Sequence, residues 1–254
     1  MASEDLTVGN PDIIICADKN ALNVEAATRF VALAGAAVAA RGRFMAALSG
    51  GSTPKALFEL LSTDAWRDRV DWSRTHLFWG DERFVPKDHA DSNFRMTNEA
   101  LLSNVAIPAD NVHRVETENG SPDEVAGQYA ATVRAAFGIG SDDTPRFDLM
   151  HLGLGDDGHT ASMFPGTTAM HEHEKIVVAV WVEKFKSNRV TMTPRVFDNA
   201  AEIQFLVAGA SKVDVVPQVI RGPYEPDRLP SQTVKPKNGA LRWLLDEAAA
   251  AGLG

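Results

Sequence analysis

The stretch GLGDDGHTASMFPG, residues 153–166, places a histidine directly after a glycine turn that carries two carboxylates. Histidine is the side chain whose unperturbed pKa lies nearest neutrality, so His159 could take a proton from water at modest cost. Asp156 or Asp157 could hold the imidazole in one tautomer, as a carboxylate does for other catalytic histidines. A metal site would need at least three ligands, and Asp157 and His159 supply only two. A polar turn without chemistry is the alternative that these residues leave open.

A second candidate lies in ALSGGSTPKALFELL, residues 47–61, whose pattern predicts a strand, a glycine turn and a helix. Gly50 and Gly51 permit tight backbone angles, and the N–H groups of Ser52 and Thr53 near the helix start favour an anion. The stretch contains neither G-x-G-x-x-G nor G-x-x-x-x-G-K-[ST], which disfavours a dinucleotide or a nucleoside triphosphate. It therefore predicts a phosphate monoester, with an ordinary capped turn as the alternative.

Charged side chains lie next to three further apolar runs. Asp81 and Arg83 lie in WGDERFVP, where a carboxylate and a guanidinium could orient a sugar hydroxyl and polarise a carbonyl. Arg189 begins the run RVTMT, and Lys212 follows the glycine turn in VAGASK. In an acidic chain, isolated cations beside such turns predict one phosphate pocket. Ordinary surface charges are the alternative for each residue taken alone.

Short apolar runs alternate with longer helical patterns along the chain, which predicts a mostly parallel sheet with helices on both faces. We therefore expect a Rossmann-like three-layer α/β fold formed by a single domain, residues 1–254. Ligands in such folds bind beyond the carboxyl ends of the strands, where these polar clusters stand. The predicted strands are 12–16, 43–48, 75–80, 147–154, 175–182, 189–193 and 202–209, and the predicted helices lie near 20–40, 54–63, 92–103, 122–137, 211–220 and 238–251.

The bulk composition excludes several classes of protein. The 254-residue chain has a formal net charge of −9, which argues against a nucleic-acid partner. Its one cysteine, Cys16, permits no internal disulfide and fits a reducing cytosol. No run of apolar residues approaches the roughly 20 needed to span a bilayer, and the acidic N-terminus lacks the features of a signal peptide. We therefore expect a cytoplasmic protein that binds neither nucleic acid nor membrane.

The clusters, in this order, resemble the 6-phosphogluconolactonase family. The resemblance extends over nearly the whole chain, through SGGSTP, WGDERFVP, SN-RM, GLG-DGHTASMFPG, NRVTMTP, FLVAGASK and LPSQTVKPKNGALRWLLD. It implies hydrolysis of 6-phospho-D-glucono-1,5-lactone to 6-phosphogluconate, the second step of the oxidative pentose phosphate pathway, without a metal or a cofactor. It also implies that His159 activates water, that Arg189 and Lys212 bind phosphate, and that Asp81 and Arg83 belong to the site.

The mechanism that this resemblance implies begins with the phosphate, held by the N–H groups of residues 50–53 and the two downstream cations. His159 then takes a proton from the attacking water and later gives it to the ring oxygen. Arg83 or N–H groups of the turn stabilise the oxyanion, and Asp81 orients sugar hydroxyls or Arg83. Asp157 holds the turn or the imidazole. We expect the partner to be a small phosphosugar lactone and the protein to be a monomer or a weak dimer.

Two other functions compete with the lactonase. Amino-sugar-6-phosphate deaminases of the same superfamily carry a glutamate five residues after the histidine, where this chain has Phe164, and tend to have an aromatic residue where Arg83 stands. Both differences favour the lactonase. A non-catalytic sugar-phosphate sensor domain is the third alternative. It is disfavoured because the first predicted strand begins near residue 12, which leaves no room for an N-terminal DNA-binding module.

Overall fold

The computed structural model describes residues 12–254, and its main sheet confirms the predicted α/β architecture. The seven strands are β1 Asp12–Cys16, β2 Phe44–Leu48, β3 Thr75–Trp79, β5 Val112–His113, β6 Leu149–Leu152, β9 Glu202–Val207 and β10 Ala240–Asp246. They lie in the order β1-β10-β9-β6-β2-β3-β5, and each of these pairings is parallel. The acidic N-terminus, on which the expectation of no signal peptide depends, lies outside the described residues.

A second, smaller sheet is antiparallel and lies beside the site. Its strands are β4 Asp81–Arg83, β7 Val177–Val182 and β8 Ser187–Met192, in the order β4-β8-β7. The runs predicted as strands at 175–182 and 189–193 are therefore strands, although they do not extend the parallel sheet. The charged stretch DER forms β4, which fixes the direction of its side chains.

Helices cover both faces of the main sheet. They are α1 Lys19–Arg41, α2 Ser52–Leu61, α3 Asn93–Ala100, α4 Pro122–Phe137, α5 Pro194–Phe197, α6 Val215–Arg221 and α7 Glu247–Ala250. Side chains along β2 alternate between two cores: Phe44 and Leu48 pack with α1 and α2, whereas Met45 packs with α4 on the other face. All five residues of β2 are buried, which explains why the strand is apolar at every position.

The helix predicted near residues 238–251 is wrong for most of its length. Residues 240–246 form β10, which pairs with β1 on one side and β9 on the other, and only Glu247–Ala250 is α-helical. The segment is rich in alanine and leucine, which favour helix. Burial of Trp243 and Leu245 between two strands overrides that preference.

The helix starts differ in how they are capped. Ser121 caps α4 in a complete capping box. Asp18 caps α1, whereas α2 begins after Gly51, so that Thr53 lies inside the helix. Residues 160–163 form a tight turn.

Helix α1 is long and apolar enough to cross a membrane by length and composition, although the sequence led us to expect no such segment. Leu22, Phe30 and Ala34 are buried on the face that packs against the main sheet and α2. This is the placement of a core helix in an α/β fold.

His151 in β6 makes stability depend on pH. Its ring is 1% exposed, and burial lowers its pKa from 6.5 to about 4. Between pH 6.5 and 4, His151 is protonated in the unfolded chain but remains neutral in the folded chain. The free energy of unfolding therefore falls as pH falls through this range, by about 3 kcal/mol in all. We expect His151→Leu to lose this part of the pH dependence in urea unfolding. The exposed His173→Gln is the control, and an unchanged slope in His151→Leu would contradict the assignment.

Candidate active site

A cleft of about 430 Å³ opens at the carboxyl edge of the main sheet, where the central strands β9, β6, β2 and β3 end. The four neighbouring strand ends carry the four polar clusters that the sequence singled out, so the sheet brings these clusters together. Within the described chain, the predicted site residues that lie off the cleft wall are Asp157 and Arg189. Those on the wall are Gly50, Gly51, Ser52, Thr53, Asp81, Arg83, His159 and Lys212.

The turn after β6 holds His159 by its Nδ1 atom. Asp157 Oδ1 accepts a hydrogen bond from this nitrogen and a second, at 3.3 Å, from the His159 backbone N–H. An Nδ1–H that donates to a carboxylate leaves Nε2 unprotonated, which is the form of imidazole that accepts a proton. Two alternative contacts were expected for Asp157, one to the turn and one to the imidazole. In the structure the same carboxylate oxygen makes both.

Two neighbours fix the plane of the His159 ring. Phe164 stacks on it with ring centroids 3.9 Å apart. On the backbone side, a Cβ atom at Gly155 would fall 2.0 Å from His159 Nδ1, so the turn requires glycine at that position. Phe164, which the sequence marked as the departure from the deaminases, is thus in direct contact with the imidazole.

Asp157 is held in its ionised form. Burial raises its pKa, but hydrogen bonds from His159 and from Lys184 Nζ, at 2.8 Å, outweigh that effect and hold the pKa well below its usual range. A permanent negative charge therefore faces the imidazole. Lys184 was not singled out by the sequence, because it lies 27 residues away in a turn with two other charged residues.

The start of α2 provides the anion-binding part of the cleft. Its N-cap is Gly51, with φ 107°, and no side-chain hydrogen bond caps the helix among the described residues. The N–H groups of the first turn therefore face the cleft without a protein anion. Gly50 is required here, because a Cβ atom would fall 1.9 Å from Asn93 Oδ1. Lys212, just beyond the end of β9, lines the same cleft.

Asp81 links its own strand to the turn after β6 and to the start of α3. It is 6% exposed, and its Oδ2 accepts a hydrogen bond of 2.6 Å from Ser162 Oγ. Asn93 Nδ2 donates to the Asp81 carbonyl at 2.9 Å. The Ser162 hydroxyl therefore donates a hydrogen bond to a carboxylate. Neither contact could be found from the sequence, because the partners lie 81 and 12 residues apart.

Glu82 anchors the segment that carries Asp81 and Arg83. Its buried carboxylate accepts backbone hydrogen bonds from Asn93 at 2.7 Å and Phe94 at 2.8 Å, at the start of α3. Side chains alternate along β4, so Glu82 points away from its two neighbours. Sequence patterns alone assign no separate role to Glu82.

Arg83 and Arg189 are register partners across β4 and β8. Arg83 Nη1 donates to the Asp91 carbonyl at 2.9 Å, and the Nε atoms of both arginines are buried without a hydrogen-bond partner among residues 12–254. The Arg189 guanidinium lies 5.2 Å from the Phe185 ring centroid. Burial and the charge of Arg83 lower the pKa of Arg189. The structure thus brings Arg189 beside Arg83 but not onto the cleft wall, where the predicted phosphate ligand would stand.

The fold and the site together define a class of α/β enzymes that present a histidine–carboxylate pair and an anion-binding helix start at one edge of a parallel sheet. The chain belongs to the glucosamine-6-phosphate isomerase/6-phosphogluconolactonase family, whose model matches residues 17–243. The family resemblance inferred from the sequence is confirmed.

Relatives with high coverage carry the lactonase name. A 6-phosphogluconolactonase of Synechocystis is 40% identical over 217 residues, which cover 85% of this chain and 88% of the relative. One of Mycobacterium tuberculosis is 38% identical over 246 residues, 95% of this chain and 98% of the relative. The solved 6-phosphogluconolactonase of Trypanosoma cruzi has a TM-score of 0.85 at 30% identity and covers 99% of each chain. A monomeric glucosamine-6-phosphate deaminase, at 17% identity and TM-score 0.79, shares the fold.

Proposed function

We propose that this protein hydrolyses 6-phospho-D-glucono-1,5-lactone to 6-phosphogluconate in the oxidative pentose phosphate pathway. The observation that carries the proposal is the environment of His159. The ring lines the cleft, Asp157 holds Nδ1, and Phe164 covers one face. The substrate is inferred from the names of the relatives. Its phosphate group fits the helix start, where backbone N–H groups can bind an anion.

The phosphate binds first in this proposal. Backbone N–H groups at residues 50–53 and the ammonium of Lys212 surround one end of the cleft. Holding the phosphate there fixes the far end of the sugar and brings C1 toward His159, which removes most of the orientational entropy from the reaction. Arg189 contributes positive charge from its position beside Arg83, off the cleft wall.

His159 Nε2 then takes a proton from water as the water oxygen forms a bond to C1. The carbonyl electrons move onto oxygen, where the Arg83 guanidinium or N–H groups of the turn stabilise the charge. When the carbonyl re-forms, the bond from C1 to the ring oxygen breaks. The imidazolium gives its proton to that oxygen, and the enzyme returns to its starting form without a metal or a cofactor.

This chain lacks the carboxylic acid that a deaminase carries five residues after the histidine. A carboxylate at position 164 would have to act on the sugar, and Phe164 instead packs against the His159 ring and is 5% exposed. An apolar ring cannot donate the proton that supports ring opening. This contact favours the lactonase.

Assays with two phosphosugars separate the two functions. We expect the purified protein to accelerate loss of freshly prepared 6-phosphogluconolactone and to release no ammonia from glucosamine 6-phosphate. Unphosphorylated gluconolactone is the control, and it should react more slowly because it lacks the group that binds the helix start. Faster ammonia release than lactone loss would overturn the proposal.

The proposal includes the setting of the enzyme. We place it in the cytoplasm as a monomer or a weak dimer that binds neither nucleic acid nor membrane. The net charge of −9 and the single cysteine support this setting.

A further inference from the structure

The turn between β7 and β8, residues 183–186, contacts the catalytic turn and is called the hairpin tip below. Lys184 Nζ lies 2.8 Å from Asp157 Oδ2 and 3.4 Å from Asp156 Oδ1. The next residue, Phe185, packs edge-on against Phe164, with ring centroids 5.7 Å apart. The hairpin tip therefore touches both groups that hold the His159 ring, the carboxylate and the stacked phenyl ring.

The two oxygens of Asp157 are divided between two partners. Oδ1 faces His159 Nδ1, and Oδ2 faces Lys184 Nζ. A carboxylate with one such contact can rotate about its Cβ–Cγ bond, whereas contacts at both oxygens fix its plane. Because the Asp157 side chain is 26% exposed, water screens the ion pair only in part. We infer that Lys184 is a positioning residue for catalysis, which acts on His159 through Asp157.

Lys184 also has an electrostatic effect on the imidazole. A carboxylate beside a histidine stabilises the imidazolium, so at low pH more of the rings are already protonated and cannot take a proton from water. The Lys184 ammonium offsets part of that negative charge, which favours the neutral ring that can accept a proton from water. Removing the ammonium would leave the carboxylate to attract the proton more strongly.

Other charges face the imidazole, and they stay in place when Lys184 is replaced. Asp156 lies on the catalytic turn and pairs with Lys184 as well. Asp81, Arg83 and Lys212 line the cleft, and Arg189 lies beside Arg83. A change in pH dependence on replacing Lys184 would therefore report the loss of this one ammonium.

The hairpin tip provides its own matched control. Lys186 lies two residues on, is 71% exposed, and pairs with Glu183 rather than with the catalytic turn. Lys186→Met removes the same charge from the same turn without touching Asp157. The pair Lys184→Met and Lys186→Met thus separates positioning of the dyad from general effects on the hairpin.

The kinetic test rests on the proposed lactonase function. For Lys184→Met we expect kcat to fall about 10-fold with little change in KM, and the acidic limb of the pH profile of kcat/KM to move to higher pH. Lys186→Met should match the wild type, and Lys184→Arg should restore most of kcat. Equal kinetics and equal pH limbs for the two methionine variants would overturn the inference.

A second measurement does not depend on turnover. In ¹⁵N NMR of the protein labelled at histidine, the ring nitrogen resonances of His159 should move in Lys184→Met and should match those of the wild type in Lys186→Met. Identical His159 resonances in the two methionine variants would overturn the inference even if the wild type hydrolyses the lactone. A wild type without lactonase activity would overturn the proposed function instead, and the NMR comparison would still decide the role of Lys184.

Discussion

His159→Gln is expected to lower kcat for lactone hydrolysis by roughly 10³-fold, while KM changes little. Glutamine keeps a polar side chain of similar length but has no nitrogen that can accept a proton. General-base catalysis by a positioned histidine contributes about 10²–10⁴-fold. The phosphate is held by the start of α2 and by Lys212, which the substitution leaves in place, so binding should survive.

The measurement is the initial rate of lactone loss, corrected for spontaneous hydrolysis. The matched control is His171→Gln, since His171 is exposed and pairs with Asp227 at the surface. The control should hydrolyse the lactone like the wild type. Turnover by His159→Gln at more than a tenth of the wild-type rate would contradict the role of His159 as the base.

Lys212→Met is expected to raise KM by roughly 10- to 100-fold, with a smaller change in kcat. Hydrogen bonds to a charged group contribute about 1.5–3 kcal/mol, which corresponds to a factor of this size. The dissociation constant of the product 6-phosphogluconate should rise by a similar factor, because the product carries the same phosphate.

The control for this change is Lys55→Met on the exposed face of α2. Lys55 pairs with Glu59 one turn along the same helix and does not line the cleft. The substitution Lys55→Met should leave KM unchanged. A defect in Lys212→Met confined to kcat, with unaltered binding of product, would show that Lys212 does not bind the phosphate.

The parallel sheet could be predicted from the sequence because its strands are buried on both faces. Phe44–Leu48 is apolar at every position for that reason, and strand ends in such a sheet converge on one edge. The prediction failed at residues 240–246. Alanine and leucine favour helix locally, and the two neighbouring strands that require a strand there come from residues 12–16 and 202–207.

The site residues that the sequence identified, apart from Arg189, share one property: each follows a predicted strand. His159 and Lys212 could be found in this way. Lys184 and Ser162 could not be assigned their contacts, because each acts on a residue that only folding brings near. The position of Arg189 was missed for a related reason, since its neighbour Arg83 belongs to an antiparallel sheet that the alternation of strands and helices did not predict.

The most direct test of the central claim is the rate at which the purified protein converts fresh 6-phosphogluconolactone to 6-phosphogluconate, measured against spontaneous hydrolysis in the same buffer. We predict conversion far above the spontaneous rate for the wild type and close to it for His159→Gln. Lactone loss at the spontaneous rate with folded wild-type protein would contradict the claim that this cleft hydrolyses the lactone.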